Sequence, residues 1–123
     1  MGSICTKEPT IVIYSFIGYF DVFCHRINTG NSNKAFHQGK ITSGKYLISS
    51  QNLKTLTVET LPYSNVTLYL NIPEIKYLTI RNCDVVFLSI TDKAKCVSLS
   101  NGCRNVQDLD YEESIELASL KCK

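Results

Sequence analysis

Short apolar segments recur along the second half of the chain at a nearly constant interval. Leu53, Ile75, Cys96 and Leu117 each begin a segment with the spacing L-x-x-L-x-L, and they lie 22, 21 and 21 residues apart. A second series, in which apolar and polar residues alternate, is centred on Leu68, Leu88 and Leu109. Stretches rich in Pro, Gly, Asn, Asp and Ser separate the two series, as expected for turns. The pattern predicts about four units of ~21 residues between positions 45 and 123, each with two short strands.

The phase of the apolar residues within a unit favours parallel strands. The first apolar residue, such as Ile75, is out of phase with the two that follow, Leu78 and Ile80, as expected for a residue at a corner. We therefore predict an all-β fold, a short parallel β-solenoid with an N-terminal capping segment. The alternative is an antiparallel β-sandwich or barrel, for which short strands at this spacing are typical. The helical candidate Glu112 to Lys123 is assigned to the strand series, because its apolar residues fit that series.

One unit resembles a known repeat family. The segment Ile75 to Val85, IKYLTIRNCDV, fills every apolar position of the leucine-rich repeat pattern L-x-x-L-x-L-x-x-[NC]-x-L. Leu53 to Tyr63 matches in part, and the later units depart further. The resemblance implies stacked parallel strands in a horseshoe. A right-handed β-helix fits the second strand series equally well, so both forms are kept open.

The chain length and composition indicate one folded domain. The 123 residues are 44% hydrophobic and 20% charged, which excludes a disordered chain. We divide the domain into an N-terminal cap (1–24), a polar loop (25–44) and the repeat region (45–123). The longest apolar run, Ile11 to Phe20, is too short for a transmembrane helix, which needs ~20 residues.

The cysteines and a glycosylation sequon predict a secreted glycoprotein. An even count of six cysteines suggests disulfides, and Asn65-Val66-Thr67 is a sequon. The disulfide candidates are Cys5, Cys24, Cys83, Cys96, Cys103 and Cys122, with Cys5–Cys24 as the first pair to consider and the connectivity otherwise open.

The N-terminus allows a different location. Residues Met1 to Thr6 fit the N-myristoylation pattern at Gly2, and Cys5 offers a site for a second lipid. This alternative is a cytoplasmic adaptor anchored at Gly2. A further interpretation is that Met1 to Ser3 is an expression remnant and not native.

Two groups of residues are candidates for binding a protein partner. The outward strand positions form a hydroxyl-rich face with Thr55, Thr57, Tyr77, Thr79 and Arg81. The polar loop adds the basic residues Lys34, His37 and Lys40. The expected function is therefore a non-enzymatic module that recognises another protein through the strand face or the basic loop. The apolar segment Ile11 to Phe23 is a candidate interface for a homo-oligomer.

Other functional classes have less support. A net charge of +2 argues against nucleic-acid binding, which calls for a strongly basic surface. No catalytic or phosphate-binding motif occurs, and Cys24, His25 and His37 lack metal-ligand spacing. We therefore expect no metal or cofactor. The alternative to a binding module is a small β-solenoid hydrolase or lyase.

Overall fold

The structure is a computed structural model that describes residues 10–15, 19–89, 96–99 and 102–122; for residues 96–99 it describes the backbone only. The described residues form nine strands and two α-helices. The strands are β1 (Val12–Ser15), β2 (Lys34–Gln38), β3 (Gly44–Ser49), β4 (Thr55–Glu59), β5 (Val66–Asn71), β6 (Tyr77–Arg81), β7 (Asp84–Phe87), β8 (Cys96–Leu99) and β9 (Cys103–Asn105). Helix α1 is Phe20–Thr29, helix α2 is Tyr111–Lys121, and a 3-10 turn spans Val106–Asp108.

The strands belong alternately to two parallel sheets. One sheet has five strands in the order β1-β2-β4-β6-β8, and the other has four in the order β3-β5-β7-β9. Every strand pair in both sheets is parallel. In the five-stranded sheet Leu56 is paired with Leu78, and Val58 with Ile80, which is the register that the repeat spacing implies.

The predicted fold class is wrong. The described chain contains two α-helices beside two separate parallel sheets, so it is a mixed α/β structure and not an all-β, closed solenoid. The antiparallel sandwich or barrel is also wrong, because the described pairings are all parallel. The strand periodicity did not predict the helices. Helix α1 lies before the region in which the repeat was recognised, and α2 lies in a segment that was assigned to the strand series.

The last predicted unit is α2 and not a pair of strands. Asp110 caps this helix by accepting a hydrogen bond from the backbone N–H of Glu113 at 2.8 Å. Acidic residues in its first turn and Lys121 in its last turn complement the helix dipole. These end effects outweigh the strand-like spacing of its leucines.

The predicted polar loop at 25–44 is wrong as well. Helix α1 occupies its first five residues, and β2 occupies Lys34–Gln38. The helix buries Phe20, Phe23, Cys24 and Ile27, which follow the i, i+3, i+4, i+7 spacing of an apolar helix face. It ends at Gly30, where a side chain would come within 2.7 Å of the carbonyl oxygen of Arg26.

The core lies between the two sheets and α1. Buried aliphatic residues from both sheets, such as Leu56, Leu78, Leu68 and Ile48, form one cluster with the apolar face of α1. A smaller cluster lies on the opposite side of the four-stranded sheet, where Leu117 of α2 packs on Tyr69 and Val86. Helix α2 therefore covers the outer surface of that sheet, and no described helix packs on the outer surface of the five-stranded sheet.

Candidate protein-recognition face

Alternate residues of the five-stranded sheet point away from the core and form a surface that we call the outer face. Its members share strand positions that the register aligns across β1, β2, β4 and β6: Val12, Tyr14, Lys34, Phe36, Gln38, Thr55, Thr57, Glu59, Tyr77, Thr79 and Arg81. Their neighbours along the strands are mostly core residues, as the two-residue period of a strand requires. The face is therefore supported by a layer of buried side chains beneath it.

The five strand residues predicted for binding all lie on the outer face. Thr55 aligns with Tyr77, Thr57 with Thr79, and Arg81 with Glu59. Lys34, which was assigned to a loop, continues the row of Thr55 on β2. Lys40 lies just beyond β2 and is exposed.

An aromatic pair on the first two strands was missed by the sequence reasoning. The rings of Tyr14 and Phe36 stack with 5.2 Å between centroids and 15° between planes. They align with Thr57 on the next strand. The signal was available, since Phe36 lies 21 residues before Thr57, one repeat unit upstream.

A cavity of about 230 Å³ opens beside this aromatic pair. Its lining residues come from three strands: Tyr14, Ser15, Phe36, His37, Gln38, Thr57 and Glu59. The carboxylate of Glu59 accepts from the Gln38 amide (Nε2 to Oε2, 3.3 Å) and pairs with Arg81 (Nε to Oε1, 3.3 Å). The cavity thus has an aromatic wall and a carboxylate whose oxygens can each accept a further hydrogen bond.

Basic residues surround the outer face. Lys54 and Lys76 directly precede β4 and β6, and the backbone N–H of Lys76 donates to the carbonyl of Lys54 at 2.8 Å, so these residues are stacked along one margin. Five cationic residues therefore lie on or beside the face, because Lys34, Lys40 and Arg81 add to these two lysines. The acidic residues there are Glu59, which is paired with Arg81, and Glu74 in the turn before β6. The surface is therefore positively charged although the whole chain is close to neutral.

His37 does not belong to this surface, contrary to the prediction. It points into the core, is 1% exposed, and contacts the rings of Phe20 and Phe23. Because the carbonyl of Gly39 can only accept, Nε2–H donates to it (3.3 Å) and Nδ1 accepts from the Ser15 hydroxyl (3.0 Å). Burial lowers the pKa of His37, while the bond to Gly39 opposes this shift.

The Ser15–His37 hydrogen bond joins a part-buried serine on β1 to the buried histidine on β2. A nucleophilic serine needs its hydroxyl open to substrate beside the base. The strand alternation that exposes Tyr14 and Phe36 turns Ser15 and His37 to the opposite, inner side of the sheet. We therefore assign this pair a structural role in joining β1 to β2.

The described cysteines form no disulfide. Cys24 and Cys83 are buried thiols, and Cys103 and Cys122 are exposed thiols. Burial raises the pKa of Cys24, and it raises the pKa of Cys83 to about 12. Both buried thiols are therefore protonated and unreactive at neutral pH.

Several predicted features lie outside the described residues or stay predictions. Met1 to Ser3, the lipidation site Gly2 and Cys5 lie outside them, and the Cys96 side chain is not described. Asn65 is exposed in a turn, with a positive φ of 53°, and its glycosylation stays a prediction. In the segment Ile11 to Phe23, Ile13, Phe20 and Phe23 are already buried within the core, while the homo-oligomer stays a prediction.

The described part of the chain offers few other sites. It contains no group of three His, Cys, Asp or Glu residues that could hold a metal ion. None of its helices is long and apolar enough to span a bilayer. A groove of about 830 Å³ runs between α1, β3 and the end of α2, and its lining mixes leucines with Asp21, Asn28, Asn71 and Lys121.

Comparison with known proteins finds no matching family model, no similar curated protein and no similar solved structure.

Proposed function

We propose that this protein is a non-enzymatic recognition module that binds an acidic segment of a protein partner through the outer face. The observation that carries the proposal is the alignment of Lys34, Thr57, Tyr77, Thr79 and Arg81 on the outer face of the five-stranded sheet. Tyrosine and arginine are enriched among residues that dominate binding energy in protein interfaces. Tyr77 is 61% exposed, and the Arg81 side chain is also 61% exposed.

The charge around the face defines the partner. Five basic residues lie on or beside it, and the carboxylate on the face itself is already paired with Arg81. A basic partner would be repelled by this positive potential, whereas an acidic segment would be attracted to it. The hydroxyls of Thr55, Thr57 and Thr79 supply hydrogen bonds between the charges. A predicted extracellular location is compatible with this function and is tested separately by thiol and glycan mass analysis.

The test is a titration of the ¹⁵N-labelled full chain with a short peptide of Asp, Glu and Ser. We expect chemical-shift changes at the amides of β2, β4 and β6 that weaken as salt is raised, and no such changes with the matching Lys-Ser peptide. The double variant Tyr77→Ala, Arg81→Ala should weaken binding by about tenfold, which corresponds to ~1.4 kcal/mol.

A matched control is available on α2. Tyr111 is 80% exposed and Lys121 is basic, so Tyr111→Ala, Lys121→Ala likewise removes one tyrosine and one positive charge, from another surface. This control should bind as the unmodified chain does. Equal affinity of the Tyr77/Arg81 variant and the unmodified chain would refute the proposal.

A further inference from the structure

We infer that the cavity beside Tyr14 and Phe36 is an anchor pocket for one tyrosine side chain of the acidic partner segment; this inference rests on the proposed function and specifies its ligand. The cavity measures about 230 Å³, is open to solvent, and is lined on the outer face by Phe36, Gln38, Thr57 and Glu59. That is room for a single large side chain and not for a folded element.

The wall of the cavity selects a ring. Tyr14 and Phe36 stack at 5.2 Å, close to the spacing of adjacent strands, and the next residue in their row is the short Thr57. The stacked rings therefore end at Thr57, whose small side chain leaves space beside the ring of Phe36. A planar group beside Phe36 gains aromatic contacts, which contribute beyond the burial of area alone.

The polar side of the cavity selects a donor. Glu59 carries two acceptor oxygens, and each now has one contact at 3.3 Å, with Gln38 or with Arg81. A carboxylate oxygen accepts two hydrogen bonds, so each retains an acceptor position. A tyrosine hydroxyl can donate to Glu59, whereas phenylalanine or leucine would bury this carboxylate without supplying a donor.

The surrounding charge excludes the cationic alternatives. An arginine or lysine anchor would place a second cation beside Arg81, which already occupies one side of Glu59. It would also enter a surface on which Lys34, Lys40 and Lys54 raise the positive potential. A neutral ring with a hydroxyl, flanked by acidic residues, fits both the pocket and its margin.

The test uses four acidic peptides that differ at one central position, which is Tyr, Phe, Leu or Ser. The full chain should bind the Tyr peptide about tenfold more tightly than the Phe peptide, since one hydrogen bond to a charged acceptor is removed. The Leu and Ser peptides should bind more weakly still. The largest shifts for the Tyr peptide should fall on the amides of Phe36, Gln38, Thr57 and Glu59.

Three variants test whether the preference for Tyr arises in the cavity. Thr57→Phe fills it with a ring and should abolish the preference for Tyr, while Thr79→Phe adds the same ring one strand away and should leave the preference intact. Glu59→Gln should reduce the Tyr-to-Phe ratio and spare general acidic binding. These variants change half-buried positions on the outer face, and a retained amide spectrum shows that each is folded.

The outcomes separate the two proposals. Equal binding of all four peptides, with shifts still on the outer face, would overturn the tyrosine anchor and leave the acidic-segment proposal standing. An equal preference for Tyr in the Thr57→Phe variant would also overturn the anchor. Larger chemical-shift changes with free methyl glucoside than with any peptide would indicate that the cavity binds a sugar, and would overturn the tyrosine anchor. Absence of shifts with every acidic peptide would overturn both.

Discussion

The hydroxyl of Tyr69 provides the sharpest test of how α2 is attached to the four-stranded sheet. Tyr69 is 0% exposed under α2, and its hydroxyl oxygen has no hydrogen-bond partner among the described residues. Two ion pairs flank it, Lys45–Glu116 and Arg104–Glu113, with 2.8 Å between Arg104 Nη2 and Glu113 Oε2. A buried hydroxyl without a partner costs ~1–3 kcal/mol.

Replacing Tyr69 by phenylalanine removes the hydroxyl and keeps the ring that packs on Val86 and Leu117. We expect Tyr69→Phe to raise the free energy of unfolding by about 1 kcal/mol, the lower end of that cost, because the helix can shift slightly to relieve it. For a chain of this size this corresponds to a rise in Tm of roughly 4 °C. Urea unfolding followed by circular dichroism measures both the midpoint and the slope, and the slope should not change.

Tyr46→Phe is the matched control, because the same atom is removed from a tyrosine that uses it. The hydroxyl of Tyr46 donates to the carbonyl of Thr42 at 2.7 Å, so its loss should lower stability by about 1 kcal/mol. The two variants should therefore move in opposite directions. If Tyr69→Phe destabilises the chain as much as Tyr46→Phe does, the packing of α2 on this sheet is described wrongly.

Three further predictions concern other parts of the chain. Because the pKa of His37 is lowered in the folded state, the unfolded chain binds more protons below pH ~6.5, so the free energy of unfolding should fall as the pH is lowered from about 7.5 to 5.5. His37→Gln should reduce this pH dependence, measured by urea unfolding at each pH. An unchanged pH dependence in the variant would contradict the assignment. Asp110→Ala should destabilise α2 by ~1 kcal/mol and increase the hydrogen-exchange rates of its amides, whereas Asp110→Asn should retain the cap. Equal exchange rates in the two variants would argue against capping by Asp110. Alkylation of the native protein, read by peptide mass, should label Cys103 and Cys122 at once and Cys24 and Cys83 only after unfolding, and early labelling of Cys83 would contradict its burial.

The sequence predicts the strands of the five-stranded sheet best, because there the repeat is regular. Leu56 with Leu78 and Val58 with Ile80 are paired as their spacing implies. The other sheet departs from the period. Leu68 was aligned with Leu88, 20 residues on, but it pairs with Val85, since the tight turn at Asn82 shortens that unit.

The two helices were not predicted from the sequence, and the physical reason differs between them. The apolar face of α1 begins at Phe20 and continues to Ile27, so it straddles the boundary drawn between an apolar cap and a polar loop. For α2, the capping residue Asp110 and the acidic first turn were visible in the sequence, but Glu112 to Lys123 was assigned to the strand series because of the spacing of its apolar residues. Local end signals decided the structure where the spacing of leucines was ambiguous.

The candidate site was predicted in part. Thr55, Thr57, Tyr77, Thr79 and Arg81 share a face because alternation and register together dictate it. The aromatic pair was missed because β1 and β2 precede the region in which the repeat was recognised. His37 was misplaced because a histidine in a polar sequence is not distinguishable from an exposed one until its strand neighbours are known.

The distribution of the two helices explains why recognition is proposed for one sheet and not for the other. Helix α2 covers the outer surface of the four-stranded sheet, and its tyrosine and valine there are buried. The corresponding surface of the five-stranded sheet carries threonines, lysine and half-exposed aromatic rings, which do not require a cover in water. A surface that the described residues leave uncovered and that a buried layer supports is suited to bind a partner at little ordering cost, because the register of four strands already fixes its backbone. The same sequence feature, the ~21-residue period, therefore both builds the core and aligns the residues of the proposed site.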